Sequence, residues 1–289
     1  MNRISPVELT LNLYDAHLHL TDPRFSKNLP DILQTMAAKG IRGCVTNATG
    51  EHDWNEVLNL ASAYPWVRPA IGVHPWWTAS LGQDWYQHWI DLLDSHPGCL
   101  IGEIGLDLAM REPDINKQRL AFRLQIKAAA ERQIPASIHC VRAWNELYED
   151  LKPFLPLASG FLLHSFNGPS ESVPKWAEAG AYFSISAEGA ASLSPSRIHQ
   201  LRKIPIGRLL IETDAPNSPP PDEWTNHPLL DPSTGKRLNH PANLPSLLIW
   251  ISQILETNPQ ELGSQIALNY HTLFGETARI HPSQHPHKK

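Results

Sequence analysis

The sequence predicts an α/β protein, a single (β/α)8 barrel of the TIM type. Two observations lead to this fold class. Eight short apolar runs alternate with amphipathic segments, and the length of 289 residues suits one barrel. A doubly wound open sheet is the second alternative, because it is built from the same alternation. We assign the barrel to residues 1–280 and treat residues 281–289 (HPSQHPHKK) as a flexible His-rich tail.

The eight apolar runs are interpreted as strands. They are nearly continuous in apolar residues, which is typical of strands buried on both faces of a parallel sheet. In chain order they are LNLYDA at 11–16, IRGCVTN at 41–47, WVRPAIG at 66–72, CLIGEIG at 99–105, IPASIH at 134–139, GFLLH at 160–164, AYFSIS at 181–186 and RLLIET at 208–213.

The segments between these runs carry helical patterns. The strongest is 114–132, where apolar residues recur at spacings of three and four and Asp114 can cap the first turn. Weaker patterns predict helices at 29–39, 53–63, 84–94, 143–151, 171–179 and 195–203, and two more at 243–256 and 259–272.

One segment, 214–241, interrupts this alternation. It contains seven prolines and shows neither helical nor strand periodicity. Connections this long inside a compact domain are usually functional or disordered. Because it directly follows the eighth run, a barrel places it at the C-terminal face, where active sites form. We therefore expect it to border the active site.

Composition narrows the class of protein. Lys+Arg 24 against Asp+Glu 29 gives a formal net charge of −5, which argues against holding nucleic acid by bulk positive charge but not through metal ions. Three cysteines, of which Cys140 is expected in the core, argue against a disulfide framework. No stretch approaches about 18 apolar residues. These features predict a cytoplasmic protein with no membrane association and no obligate protein partner.

Metal-type ligands stand at the ends of five predicted strands. His17 and His19 end the first run, and residues i and i+2 of a strand point to the same face, so both imidazoles can reach one ion. A single histidine or carboxylate at one strand end is usually an ordinary buried polar side chain with a hydrogen-bond partner and not a metal ligand. Since the carboxyl ends of barrel strands converge on one mouth, six such groups predict a metal centre. The other four are Glu103, His139, His164 and Asp214.

Six ligands are too many for one tetrahedral ion. They suit two ions about 3.5–4 Å apart that share a bridging carboxylate. Glu103 is the candidate bridge, because its strand lies between the two histidine groups. Gly102 and Gly105 beside it either give the backbone room or reflect tight strand packing. The ligand types suit Zn, Mn or Fe, and labile sites also work with Mg.

Five motifs, in this order, resemble those of the TatD family of metal-dependent deoxyribonucleases within the amidohydrolase-like barrels: DAHLHL, GEIGLD, IHC, HSFNG and ETDAP. The resemblance runs from about Asp15 to Gly275. It implies two catalytic residues, Glu103 and Asp214, with Asp214 orienting or deprotonating the attacking water. The ligand set that it implies is His17, His19, Glu103 and Asp214 for one ion, and Glu103, His139 and His164 for the other.

Three further residues are candidates for substrate binding: His74, Arg142 and Asn239. His74 lies in GVHPWW, which resembles the family's Gly-x-His-Pro stretch; it either donates to a phosphate or packs under Trp76. The family usually has an arginine two positions after the fifth-strand histidine, but here Arg142 comes one position later. The family's Arg-Asn-Glu-Pro segment is changed here, where RLNHP occupies 237–241. Both departures concern how the substrate is positioned.

The resemblance implies a divalent-metal-dependent hydrolase that cleaves phosphodiester bonds. We expect nucleic acid ends, DNA foremost, as substrate, with a metal-activated water and 3′–5′ exonuclease action. The alternative is an amidohydrolase-type hydrolase of a small ester, amide or phosphoester, because one fold supports many activities. A non-catalytic binding module is disfavoured by the complete ligand set.

Overall fold

The computed structural model describes residues 12–187 and 194–276. Eight strands form one sheet in which each strand is hydrogen-bonded to the next in chain order, and every pair is parallel. This order confirms the predicted (β/α)8 barrel over the doubly wound sheet, whose strand order would reverse at a switch point. The predicted tail, 281–289, lies outside the described residues.

Every barrel strand overlaps the apolar run that predicted it. The longest, β4, is buried at all eight of its positions, in line with helices covering the outside of the barrel. The strands are β1 Leu13–Leu18, β2 Ile41–Asn47, β3 Val67–Ile71, β4 Leu100–Asp107, β5 Ala136–Val141, β6 Phe161–Leu163, β7 Ala181–Ile185 and β8 Leu209–Ile211.

The first and last strands meet at a seam that closes the barrel. Just beyond β8, the backbone N–H of Asp214 donates to the carbonyl of His17 over 3.0 Å, and the N–H of His19 donates to the carbonyl of Ala215 over 2.8 Å. The buried Asp15 carboxylate accepts from the backbone N–H and the hydroxyl of Thr213, at 3.0 and 2.5 Å. The seam therefore brings residues 17–19 beside Asp214.

The helices also follow the predicted segments closely. Asp114 caps α4 as expected, because its carboxylate accepts from the N–H of Lys117 over 3.2 Å. The helices of the described residues are α1 Leu29–Ala38, α2 Trp54–Ala63, α3 Trp85–Ser95, α4 Ile115–Arg132, α5 Trp144–Leu151, α6 Val173–Glu178, α7 Pro195–Lys203, α8 Leu244–Ile254 and α9 Pro259–Phe274. None of them is long and apolar enough to span a membrane.

The core lies between the strands and this outer layer of helices. Two tryptophans connect the layers. Trp54 of α2 and Trp89 of α3 are fully buried, and their indole N–H groups donate to the carbonyls of Gly72 and Ile71 over 2.7 and 3.1 Å. These bonds fix the end of β3. The three cysteines are buried and free, and Cys140 is in the core as expected.

The proline-rich segment 214–241 contains more regular structure than the sequence predicts. A short antiparallel pair, β9 Leu229–Leu230 and β10 Arg237–Leu238, forms a hairpin in it. The Asp231 carboxylate closes its turn by accepting from the Ser233 N–H and the Thr234 hydroxyl, at 2.8 and 2.7 Å. Sequence periodicity does not reveal this hairpin, because strands of two residues are too short to show a periodic pattern.

Candidate metal centre and active site

Glu103 lies at the centre of the barrel mouth, and its two carboxylate oxygens face different histidines. Its side chain is only 3% exposed. The Oε2 atom is 3.3 Å from His17 Nε2 and 3.4 Å from His19 Nε2. The Oε1 atom is 2.9 Å from both His139 Nδ1 and His164 Nε2, and 3.4 Å from His74 Nε2. One carboxylate therefore joins histidines from β1, β5 and the ends of β3 and β6.

The two glycines beside Glu103 are required by close packing around β4. A Cβ atom at Gly102 would lie 2.6 Å from Asn47 Oδ1, and one at Gly105 would lie 2.0 Å from the carbonyl oxygen of His139. Gly105 also has φ 149°, which disfavours residues with a side chain. The glycines thus bring β4 close enough to β2 and β5 for Glu103 to reach histidines on several strands.

Asp214 is the most accessible carboxylate among the predicted ligands. It follows β8 with φ 51°, in the left-handed region that aspartate tolerates better than most residues. Its Oδ1 is 3.5 Å from His19 Nε2, and its Oδ2 accepts from the Ser218 hydroxyl over 2.9 Å. Its side chain is 14% exposed. Asp214 therefore borders the Oε2 side of Glu103 and faces the opening.

The hydrogen bonds behind three histidines fix which ring nitrogen faces the centre without a proton. His19 Nδ1 is 2.9 Å from the Asn47 carbonyl, which only accepts, so in a neutral ring the proton is on Nδ1. The same argument applies to His139, whose Nε2 faces the Asp107 carboxylate at 3.4 Å. His164 Nδ1 likewise faces the Glu212 carboxylate at 3.3 Å. Each ring then turns a lone pair toward Glu103.

A cation would remove the repulsion that arises when these rings are neutral. His139 Nδ1 and His164 Nε2 lie 3.1 Å apart, and in their neutral forms both would direct lone pairs at the same oxygen, Glu103 Oε1. Buried lone pairs without a donor are costly, whereas carboxylate or carbonyl partners behind metal-bound imidazoles are the usual arrangement in metal sites. The side chains also form three groups whose ligand atoms lie within 4.8 Å of one another: His17, His19 and Asp214; His17, His164 and Glu212; His74, Glu103 and His139. These residues fit divalent cations.

Without a cation, the charges of the cluster depend strongly on each other. Burial alone would raise the pKa of Glu103, but His164 and the other imidazoles hold it well below its usual value. Burial would lower the pKa of His164, but Glu103 and Glu212 hold it well above normal. Burial alone would also raise the pKa of Asp214, but the contact of its carboxylate with His19 keeps this pKa below the ordinary value. The carboxylates are thus ionised and ready to neutralise positive charge.

His74 differs from these histidines, because its proton sits on the nitrogen that faces the centre. Its Nδ1 accepts from the backbone N–H of Trp76 over 3.2 Å, so the neutral ring carries its proton on Nε2. Burial lowers the pKa of His74 to about 4, so the ring is neutral near pH 7. Nε2 is 3.4 Å from Glu103 Oε1. His74 therefore enters the cluster as a hydrogen-bond donor, whereas the others offer lone pairs.

The other two candidates for substrate binding form no hydrogen bond or ion pair with the six predicted ligands among the described residues. Arg142 follows β5 with φ 57°; its side chain is exposed and makes no hydrogen bond or ion pair with the described residues. Asn239 is buried, and its side-chain amide donates to the carbonyls of Thr213 and Ser218 over 2.8 and 3.1 Å. These contacts fasten the segment that carries Asp214.

Two carboxylates of the site were not singled out from the sequence. Asp107 stands four residues after Glu103 and accepts from the Trp76 indole N–H over 2.7 Å. Burial alone would raise the pKa of Asp107. The hydrogen bonds of its carboxylate with His139 and Trp76 outweigh this effect and lower the pKa to about 2. Glu212 is fully buried two residues before Asp214. The same i, i+2 and i, i+4 face rule that paired His17 with His19 could have found both.

Comparisons with known proteins agree on one family. The family model described as TatD related DNase matches residues 14–275. The chain is 31% identical over 263 residues to the 3′-5′ ssDNA/RNA exonuclease TatD of Salmonella typhimurium, covering 91% of this chain and 98% of that protein. It is also 31% identical over 265 residues to the protein of the same name from Citrobacter koseri, covering 91% and 99%.

Solved structures show the same fold. The TatD homologue YJJV of Escherichia coli superposes with a TM-score of 0.83 at 23% identity, covering 93% of this chain and all of that one. A TatD family hydrolase from Entamoeba histolytica gives a TM-score of 0.80 at 20% identity, covering 91% and 98%. At these identities the likeness concerns the barrel, and the case for activity depends on the site.

Proposed function

The chain belongs to the family of TatD-related DNases, and we propose that it is a divalent-metal-dependent hydrolase that cleaves phosphodiester bonds from the 3′ ends of nucleic acids, DNA foremost. The observation that carries this proposal is the division of histidines between the two oxygens of Glu103, with Asp214 beside one of them. Such a cluster suits two cations that share one carboxylate.

The ligand assignment follows the two sides of Glu103. His17, His19, Glu103 and Asp214 would hold one ion, and Glu103, His139 and His164 the other. When bound, divalent cations supply Lewis-acid stabilisation of negative charge and make water a better nucleophile near neutral pH. Two Zn, Mn, Fe or Mg ions are proposed, because the imidazole and carboxylate ligands suit this group of metals.

The protein's own groups supply proton transfer and positioning. Asp214 accepts the proton that the attacking water loses, because it is ionised near pH 7 and is the most open carboxylate of the set. The Nε2–H of His74 faces Glu103 Oε1 in the free protein and would turn to a phosphate oxygen when the substrate binds. Arg142, exposed and without an ion-pair partner among the described residues, faces solvent where a second phosphate of the strand can reach it.

The second candidate function is hydrolysis of a small ester, amide or phosphoester. Two observations favour it: Val141 stands where the family usually has an arginine, and the formal net charge of the chain is −5. A small substrate needs fewer phosphate contacts than a strand does. For either function we propose a cytoplasmic location, which suits three free cysteines.

A substrate panel with controlled metals tests the proposed function. The purified protein is stripped with a chelator and reconstituted separately with Zn, Mn, Mg or Fe(II). It is then assayed on 5′-labelled single-stranded DNA, duplex DNA, RNA, a phosphodiester dye and acyl substrates. We expect metal-dependent, stepwise shortening of single strands from the 3′ end. Turnover of acyl substrates or the dye alone, with intact oligonucleotides at every metal, would contradict the nuclease proposal and support the second candidate.

A further inference from the structure

Trp76 exposes an unusually large apolar surface beside the metal cluster. It lies in the short 3-10 turn Pro75–Trp77 that follows His74. The residue is 59% exposed, although tryptophan is highly buried on average. One edge is nevertheless anchored, because the indole N–H donates to the Asp107 carboxylate over 2.7 Å. The side chain is therefore both open to solvent and held in place.

The backbone that carries Trp76 is held from several directions. The carbonyls of Ile71 and Gly72 accept from the indoles of buried Trp89 and Trp54. The N–H of Val73 donates to the Gln125 side chain of α4 over 2.7 Å. A ring that is fixed before a ligand arrives loses little conformational freedom on binding, which favours affinity. Trp76 is thus a preorganised surface.

The indole lies one imidazole ring away from the centre of the cluster. The rings of His74 and Trp76 pack edge to face with centroids 4.8 Å apart, and His74 Nε2 is 3.4 Å from Glu103 Oε1. On the other side Asp107, which anchors Trp76, is 3.4 Å from His139. A nucleotide with its phosphate at the cluster has its base only one sugar away. Trp76 occupies a place that such a base can reach.

We propose that Trp76 is a stacking platform for an unpaired base next to the scissile phosphate. This inference rests on the proposed nuclease function and assigns the contact that would hold an unpaired base at the 3′ end. Base stacking on an aromatic ring tolerates any sequence, because every base has a π face, but it needs a base released from pairing. Neighbouring Trp77, 42% exposed, packs instead against His52 with ring centroids 4.5 Å apart. It is not part of the platform.

The test combines two enzymes with two kinds of substrate. Parent and Trp76→Leu are assayed on 5′-labelled single-stranded oligodeoxynucleotides. One substrate is intact, and three others each carry a single abasic unit, at the last, second-last or third-last position. For the parent we expect KM to rise about 5- to 150-fold when the base is missing at one of these positions, the range typical of aromatic stacking. Trp76→Leu should show that rise already with the intact strand and no further rise with the abasic one.

Control variants separate stacking from damage to the metal cluster. Trp77→Leu removes a similarly exposed tryptophan of the same turn and should leave KM and kcat near parental values. Trp76→Phe keeps a ring but loses the bond to Asp107, so it should recover part of the base dependence. Because Trp76 bonds to Asp107 behind His139, all variants are assayed at saturating metal, and their metal content is measured in parallel. Parental KM on intact strands, or undiminished base dependence, in Trp76→Leu would overturn the proposal.

Binding gives a readout that does not depend on hydrolysis. Anisotropy of the same oligonucleotides is measured in an Asp214→Asn background, in which cleavage is expected to be slow enough to follow binding. Base-dependent affinity that requires Trp76, together with no cleavage by the parent, would refute the nuclease proposal and leave the platform standing. Cleavage without base dependence would refute only the platform.

Discussion

The two sides of Glu103 are built differently. Behind the Oε1 side, His139 and His164 contact the carboxylates of Asp107 and Glu212. Behind the Oε2 side the partners are neutral, the Ser137 hydroxyl at 2.8 Å from His17 Nδ1 and the Asn47 carbonyl behind His19. The negative charge of that side comes from Asp214, at the front and partly exposed. One side therefore has fixed charge behind its ligands, and the other has a carboxylate facing the substrate.

This difference suggests that the Oε1 side mainly binds metal and that Asp214 mainly transfers protons. Buried carboxylates behind imidazoles increase the basicity of the ring nitrogen that faces the metal and fix its orientation. Glu212 in particular is fully buried and cannot reach a substrate. A carboxylate at the opening can exchange protons with water. We therefore expect substitutions on the Oε1 side to affect mainly metal affinity and Asp214 substitutions to affect mainly rate.

The largest effect on rate is expected from Asp214→Asn. The amide keeps the size and one oxygen but loses the basicity, so kcat should fall by about 10²–10⁴-fold, the usual contribution of a positioned proton transfer. Folding should be near normal and metal partly retained. Parallel kcat, metal analysis and melting temperature check this. A stable, metal-loaded variant with near-parental kcat would show that Asp214 only caps the segment after β8.

A smaller and different effect is expected from Glu212→Gln. Removing the charge behind His164 should weaken metal affinity by about 10–100-fold, the usual cost of losing such a partner. At saturating metal kcat should remain much closer to parental than in Asp214→Asn. The matched control is Ser137→Ala, which removes a neutral partner behind His17 and should weaken affinity less. Equal losses in both variants, measured by metal titration, would contradict the distinction between the two sides.

The smallest effect is expected from Asn239→Ala. It leaves the buried carbonyls of Thr213 and Ser218 without their donor, which should lower the free energy of unfolding by about 1–3 kcal/mol. The control is Asn226→Ala, which removes an exposed amide that donates to the Ser246 hydroxyl over 2.7 Å and should cost less. Denaturant titration and steady-state kinetics distinguish the roles. Unchanged stability with a raised KM would favour the substrate-binding role that the sequence predicts for Asn239.

The barrel and its mouth could be predicted from sequence because both depend on local patterns. Buried strands appear as apolar runs, and the strand-end rule alone gathers His17, Glu103 and Asp214 at one place. The hairpin in 214–241 could not be predicted, because its strands are two residues long. The sequence also could not predict which ring nitrogen of each site histidine carries the proton. For His19 it depends on the Asn47 carbonyl, 28 residues away, which only the fold brings within 2.9 Å.

Metal stoichiometry in single-ligand variants tests the central claim, that one carboxylate serves two cation sites. The parent, Glu103→Ala and His164→Ala are loaded with the same metal, desalted and analysed for bound metal per chain, with circular dichroism to verify folding. The account predicts two ions in the parent, about one in His164→Ala, and loss from both positions in Glu103→Ala. Parental metal content in a folded Glu103→Ala variant would contradict it.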